Sequence, residues 1–243
     1  MPLTRVELKI YSSLDRKSKR EEHGLFIAEG IKTCKELLSS KMGIKTILCT
    51  KEHHHLFENS VCISNKDAQR ISNQKNHSGI IAIGELPKKR TSKLNFSKDI
   101  IVLDGINDPG NLGTIIRTLD WFGFTQLVCS TKSVDAFNPK TIMASMGSVF
   151  RLRPMYFDVS SLLKNSTSTI YGTFTEGNSI YQTSFSKPCT IVFGNESNGI
   201  SPKLHSLINS KISIPGVGGA ESINLSNSCS IVVSELIRQR LLD

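Results

Sequence analysis

The sequence predicts an α/β protein in two parts: a small α/β domain over residues 1–86 and a larger domain with a mostly parallel sheet over residues 99–243. Short apolar runs of strand length alternate with helical patterns along the chain. A polar, basic stretch at 87–98, opened by Pro87, reads as a linker between the parts. Charge divides at the same place. Residues 1–98 hold 19 Lys and Arg against 10 Asp and Glu, whereas residues 99–243 hold 11 of each. The whole formal excess of +9 therefore lies in front, which fits a front that grips a polyanion and a back that does something else.

The totals exclude several classes. With 243 residues and 38% apolar content the chain can bury a real core. No apolar segment approaches a membrane span, and the first residues lack the apolar run of a signal peptide. Six cysteines, at 34, 49, 62, 129, 189 and 229, are scattered without a CxxC pair. They read as reduced, mostly buried thiols of a cytoplasmic protein rather than as a disulfide framework or a zinc site.

In the front domain, residues 3–14 and 29–39 read as helices, 44–49 and 60–63 as short strands, 65–72 as a helix and 79–84 as a buried strand. The run between the first two helices, with Arg16, Lys17, Lys19 and Arg20 followed by two glutamates, reads as a solvated turn, with phosphate contact as the second reading. His53, His54 and His55 are adjacent and cannot share a helix face, so a solvated run is preferred to a metal site.

The rear domain opens with a buried-strand pattern at 99–104, and further strands follow at 126–130, 169–173, 190–193 and 211–214. Three of its stretches carry more polar detail than folding needs. In LDGINDPGNLGTIIRTLDWFGF (103–124) a strand ends at Asp104 and Asn111 reads as a helix N-cap. Leu112, Ile115, Ile116, Leu119 and Phe122 keep helical spacing, and Arg117 falls off that stripe, over Gly113 and Thr114. An arginine there faces the mouth of a strand–helix loop, where open α/β sheets bind ligands. In IVFGNESNGIS (191–201) glycines at 194 and 199 flank Asn195 and Glu196 and leave backbone open to a small molecule. In KISIPGVGGAESINLSNSC (211–229) a strand leads into a Gly-rich loop and then into a helix reaching the C-terminus.

NLGTIIR, FGNESNGIS and IPGVGGAESINLS, in that order and spacing, resemble the three motifs of the SpoU/TrmH-type RNA ribose 2′-O-methyltransferases of the SPOUT class. ASMGSVFRLRP (144–154) matches a further stretch of that family, and REEHGLFIAEG with HSGIIAIGELP resembles its ribosomal L30-like substrate-binding domain. The resemblance implies a C-terminal sheet closed by a deep trefoil knot, S-adenosyl-L-methionine as cofactor, no metal, structured RNA as partner and a homodimer. It implies ribosomal RNA before transfer RNA as substrate; a non-catalytic RNA-binding or assembly protein of the same fold is the alternative from another class. Asn111, Arg117, Glu196, Ser222 and Asn224 match positions treated as catalytic or substrate-positioning. Gly194, Asn195, Gly199, Ile214 and Ile223 match or adjoin cofactor-contacting positions, and Thr173 and Phe174 match less closely. Gly216 stands where members often carry methionine; with Gly218 and Gly219 it leads us to expect a loop that is mobile until cofactor binds.

Overall fold

The computed structural model describes residues 2–87 and 94–242, so part of the linker stretch lies outside the described residues. By its contacts the chain divides into a front unit, residues 1–91 with 135–151, and a rear unit, residues 92–134 with 152–243.

In the front unit α1 (Arg5–Tyr11) starts at Thr4, whose hydroxyl accepts from the Glu7 amide while the Glu7 carboxylate takes the Thr4 amide. This helix is shorter than the predicted 3–14. The charged run expected to be a turn is instead α2 (Lys17–His23), followed by β1 (Leu25–Glu29) and α3 (Ile31–Leu38). Lys17–Glu21 and Lys19–Glu22 pair along the exposed face of α2. Its inward residue is Arg20, only 2% exposed, and an arginine in the apolar slot hides the helical period from a sequence reading. β2 (Ile44–Thr50), β3 (Val61–Ile63), α4 (Asn65–Ile71) and β4 (Ile80–Glu85) complete a sheet of order β1-β4-β2-β3. In it only β2 and β3 run parallel. His53 and His54 bond to Thr50 and Ser60 hydroxyls.

The same unit includes α6 (Pro139–Ser145), which comes from the rear part of the sequence and packs on β1. Phe26 of β1 meets the rings of Phe137 and Phe150 at 4.9 and 5.9 Å.

The rear unit is built on six strands: β5 (Ile100–Leu103), β6 (Leu127–Ser130), β7 (Met155–Phe157), β8 (Thr169–Ser179), β9 (Cys189–Phe193) and β10 (Ser210–Ser213). Their order is β10-β8-β9-β5-β6-β7 and every pairing is parallel, as the apolar runs predicted. β5 and β9 are buried along their whole length at the centre. From β5 the chain proceeds toward β7 on one side, while β8 and β10 lie beyond β9 on the other. The order reverses between β5 and β9, where open α/β sheets leave a crevice beyond the strands' C-terminal ends. α5 (Pro109–Trp121), α7 (Val159–Lys164), α8 (Pro202–His205) and α9 (Leu225–Leu242) cover the sheet, with α9 packed on α5. β8 is longer than the predicted 169–173 because its register to β10 jumps from Gly172 opposite Lys211 to Asn178 opposite Ile212, so residues 173–177 bulge out.

All six cysteines are free and only Cys62 is exposed. Burial pushes the Cys34 thiol up to about 12, which removes its thiolate at neutral pH.

Candidate active site

The site lies in the rear unit, at the ends of the two central strands. The loop after β5 is held along its backbone almost residue by residue. The Asp104 amide donates to the Phe193 carbonyl at 2.8 Å and the Gly105 amide to the Ser130 hydroxyl at 2.8 Å. The Gly105 carbonyl accepts from Asn195 Nδ2 at 2.6 Å, and the Ile106 carbonyl from the Val134 amide at 2.9 Å. The Asn107 and Asp108 amides both point at the Glu196 carboxylate, at 3.4 and 3.3 Å. A loop with its donors and acceptors so matched has little freedom left.

Asn111 is not the helix N-cap that the sequence suggested. Asp108 is: its carboxylate accepts from the Asn111 amide at 2.7 Å, and Pro109 occupies the first helical position, where a missing N–H costs nothing. The helix therefore starts three residues earlier, and the Asn111 side chain is released for other work. Its Nδ2 donates to Glu196 Oε1 at 3.1 Å and its Oδ1 accepts from Asn224 Nδ2 at 3.0 Å. Asn224 Oδ1 in turn accepts from the Ser226 amide at 2.8 Å, the Ser226 hydroxyl at 2.6 Å and the Asn227 amide at 3.4 Å, capping α9. Glu196, Asn111 and Asn224 thus form one hydrogen-bonded string across the three motif stretches. Each partner fixes which end of the next amide is oxygen.

Glu196 sits in a closed loop. Asn195 and Gly199 exchange backbone hydrogen bonds at 2.9 Å, and Asn195 Oδ1 accepts from the Ser197 and Asn198 amides. A side chain at Gly194 would bring its Cβ within 2.1 Å of the Gly199 carbonyl carbon, and Gly199 has φ +64°. Glycine is required at both places, at the first by space and at the second by backbone conformation. Asp104, 7% exposed, accepts from the Ser201 amide at 2.9 Å and ties this loop to the start of α8. Asp104 and Asp108 are site residues that the sequence reading passed over, although a carboxylate ending a buried strand and an Asp-Pro pair were both visible signals.

The other candidates fall in two groups. Arg117 is exposed on α5, two turns in from the Asp108 cap, and makes no hydrogen bond or ion pair among the described residues. Ser222 and Ile223 lie on the exposed loop 215–224, with Ile223 46% exposed, and Ile214 is half-buried at the end of β10. Residues 215–222 make no backbone–backbone hydrogen bond among the described residues. Thr173 donates to the Val192 carbonyl at 3.2 Å, which places it beside the end of β9. Phe174 instead packs with His205, ring centroids 5.3 Å apart, under the Lys211 ammonium at 5.0 Å. The geometry therefore unites Asn111, Asn195, Glu196 and Asn224 in one web, and leaves Arg117 and Ser222 unbonded among the described residues, while the Ile223 carbonyl accepts from the Ser228 hydroxyl at 3.4 Å.

Residues 98–234 match the model of the SpoU rRNA Methylase family, and residues 6–82 match the MRM3-like substrate binding domain. The chain is 29% identical over 242 residues to the 23S rRNA (guanosine(2553)-2′-O)-methyltransferase RlmP of Bacillus subtilis (strain 168), with 95% of each chain covered. A TrmH-family structure from Porphyromonas gingivalis superposes with a TM-score of 0.86 at 30% identity, covering 98% of this chain and 100% of that one. An AdoMet-bound rRNA methyltransferase from Sinorhizobium meliloti superposes with a TM-score of 0.84 at 27% identity, covering 100% and 98%.

Proposed function

Because the chain belongs to the SpoU rRNA Methylase family, we propose that it transfers a methyl group from S-adenosyl-L-methionine to a ribose 2′-hydroxyl of ribosomal RNA. The observation that carries this reading to particular residues is the string Glu196–Asn111–Asn224, which ties the three loops into one site. Similarity to a 23S rRNA enzyme over 95% of both chains, front domain included, favours ribosomal over transfer RNA.

The residues present suit the cofactor. The loop 215–222 offers backbone donors and acceptors that nothing in the described chain uses, and Ile214 and Ile223 put apolar surface beside it for a purine ring. When bound, S-adenosyl-L-methionine supplies an activated methyl on a sulfonium. The chain must align the ribose hydroxyl with it and stabilise the charge that develops on the oxygen. Glu196 is already filled with four donors, from Asn107, Asp108, Asn111 and Asn195, so it orients the web rather than taking the hydroxyl proton. Among the described residues nothing bonds the Arg117 guanidinium. A guanidinium keeps its proton across the physiological range, so Arg117 clamps the target phosphate and faces the forming alkoxide, and the proton leaves to a phosphate oxygen or water. Ser222 lies on the loop beside this path and contacts the substrate.

The chain acts as a homodimer in the cytoplasm. The dimer reading is supported by exposed apolar side chains at the C-terminal ends of α5 and α9, Trp121 at 84% and Leu241 at 81%. We also propose that the C-terminal segment is threaded as a trefoil knot. From the edge strand β10 the chain must return past the ends of β8 and β9 to reach α5, beside which α9 lies. The front domain holds the RNA by shape and phosphate contacts.

The test is transfer of tritiated methyl from the cofactor to 23S ribosomal RNA and, in parallel, to transfer RNA, with the product mapped by its resistance to alkaline hydrolysis. Label at one ribosomal nucleotide is expected. Label confined to transfer RNA would move the substrate, and binding of RNA without any transfer would replace the enzyme with an assembly protein.

A further inference from the structure

Residues 1–98 carry the whole positive excess of the chain, and the sheet of the front unit divides its charge between two ends. At the first end β1 and β2 finish and β4 begins, with Glu29 opposite Ile81 and Cys49 opposite Ile80. At the second end β1 and β2 start and β4 finishes, with Leu25 opposite Glu85 and Ile44 opposite Gly84. The five residues of β1 separate the two by roughly 13 Å.

The basic run that the sequence offered as a phosphate contact is α2, at the second end. Its cations already have partners. Lys17 pairs with Glu21 at 4.0 Å, Lys19 with Glu22 at 2.6 Å and Arg16 with Asp15 at 3.8 Å, while Arg20 is buried on Asp135. Lys41 and Lys45 flank Gly43, against which the Glu85 side chain lies. Exposed pairs of this kind add little stability, but they cancel the field that a phosphate would feel.

The first end is arranged the other way, with its carboxylate bonded inside the chain and its cations outside. The Ser72 hydroxyl donates to both Glu29 carboxylate oxygens, at 2.8 and 2.9 Å, and the Ser78 amide to one of them at 3.0 Å. The loop from Ser72 to Gly79 is pinned further along its length. The Gln74 amide donates to the Ser72 hydroxyl, Gln69 Nε2 to the Gln74 carbonyl and the His77 amide to Gln69 Oε1, at 3.0, 3.1 and 3.2 Å. The Gly79 carbonyl accepts from the Thr50 amide at 2.8 Å, which sets the turn after β2 beside the loop. Gly79 has φ +76°, and a Cβ there would meet His53 Nδ1 at 2.6 Å, so this approach requires glycine. Lys75 lies on the pinned loop, Lys51 follows Thr50, and Lys32 stands in the first turn of α3, three residues after Glu29. The side chains of Lys32, Lys51, Lys75, Asn73 and Asn76 are exposed and make no hydrogen bond or ion pair among the described residues. Glu52 is an exposed carboxylate among these three lysines.

We propose that this first sheet end is the face on which the front unit binds structured RNA, and that α2 is not. Lys32, Lys51 and Lys75 contact phosphates, and Asn73 and Asn76 bond to ribose hydroxyls or base edges. A loop fixed from within loses little freedom when RNA is seated on it. The proposal deepens the reading given above, on which RNA is the substrate, and it lies wholly within the front unit.

The test uses the full-length protein and a 23S ribosomal RNA transcript. Three variants are compared with the wild type: Lys32→Ala with Lys75→Ala, Arg16→Ala with Lys17→Ala, and Asn76→Ala. Affinity is measured over a salt series, together with melting, cofactor affinity and single-turnover transfer at saturating transcript. In the Lys32 and Lys75 variant affinity is expected to fall on the order of tenfold, and the slope of log affinity against log salt to become shallower by about 2. Asn76→Ala removes no charge, so it is expected to lose about threefold in affinity at an unchanged slope. The Arg16 and Lys17 variant should stay within about twofold of wild type, and melting, cofactor affinity and the saturated rate should hold in all three. Wild-type affinity in the Lys32 and Lys75 variant or in Asn76→Ala, or an equal loss in the Arg16 and Lys17 variant, would overturn the proposal. A wild-type protein that binds the transcript without transferring a methyl group would overturn the methyltransferase reading instead, and the affinities would still decide the face.

Discussion

The loops at the two ends of the site are satisfied in opposite ways. In 104–108 and 194–199 most backbone amides have a partner inside the protein, down to the paired Asn107 and Asp108 amides on one carboxylate. In 215–222 none of the backbone groups bonds to another backbone group among the described residues, and all eight residues are exposed. Loops of similar glycine content have thus been put to different uses. The first pair builds a fixed frame around Glu196 and Asn111, which on the proposed reading is where preorganised electrostatics act. On the proposed reading the third leaves its hydrogen bonds to be made by the cofactor, which would tie its own order to binding.

Arg117 gives the largest way to break this contrast. On the proposed reading it is the clamp on the target phosphate, and it makes no hydrogen bond or ion pair among the described residues, so its removal should leave the fold unchanged. Arg117→Ala is expected to lower single-turnover transfer by about 10²–10³-fold, the scale for one well-aimed donor. Melting temperature and cofactor affinity should stay where they are. Arg117→Lys keeps the charge but not the fork, and near-normal transfer by it would refute a bidentate clamp.

Gly194→Ala attacks the frame itself. Its Cβ would lie within 2.2 Å of Ile200 N as well as against the Gly199 carbonyl, and no flexible side chain is there to give way. Chemical denaturation should show a loss at the upper end of the about 1–3 kcal/mol typical of overpacking. Gly216→Ala, with open space around its Cβ, should change stability by less than about 0.5 kcal/mol. Equal effects at the two glycines would erase the distinction between the loops. Amide exchange sharpens the same point without a mutation. Residues 215–222 should exchange rapidly alone and become protected when S-adenosyl-L-methionine is added, whereas the Asn195 and Gly199 amides should be protected in both states.

How much of this could be read from the chain follows the same division between local and distant causes. Five of the rear strands and the residues of the string were legible, because buried parallel strands are continuous apolar runs and the motif stretches carry unusual polar detail; the edge strand β7, none of whose residues is fully buried, was not, and neither was the strand order. α2 was not, since its inward residue is Arg20 and its apolar slot is filled by a charge whose partner, Asp135, is 115 residues away. The bulge at 173–177 was invisible for a related reason: it is defined by pairing with Lys211 and Ile212. Nothing in α6 itself signals that it covers β1 of the front unit. The start of α5 is a different matter. Asp108-Pro109 is an N-cap followed by proline at the first helical position, and a local reading weighted toward that pair would have placed the cap correctly.

That cap supplies a smaller effect than Gly194, and the one that best separates the frame's architecture from its chemistry. Asp108 makes two different contributions: its carboxylate caps α5 on the Asn111 amide, and its own amide helps hold Glu196. Asp108→Ala removes only the first. The expected cost is about 1 kcal/mol of stability, as for other lost caps. The melting change should be recovered in Asp108→Asn, because a neutral amide oxygen accepts the same hydrogen bond. Transfer should respond differently. Asn111 sits in the first turn, and its side chain joins Glu196 to Asn224, so fraying that turn loosens the centre of the string rather than one end. A rate loss of about threefold to tenfold is expected in Asp108→Ala, on the scale of one weakened hydrogen bond. It should be largely restored in Asp108→Asn, with RNA and cofactor binding unchanged in both. If Asp108→Ala melts earlier but transfers at the wild-type rate, the string tolerates fraying and Asn111 is held by Glu196 and Asn224 alone.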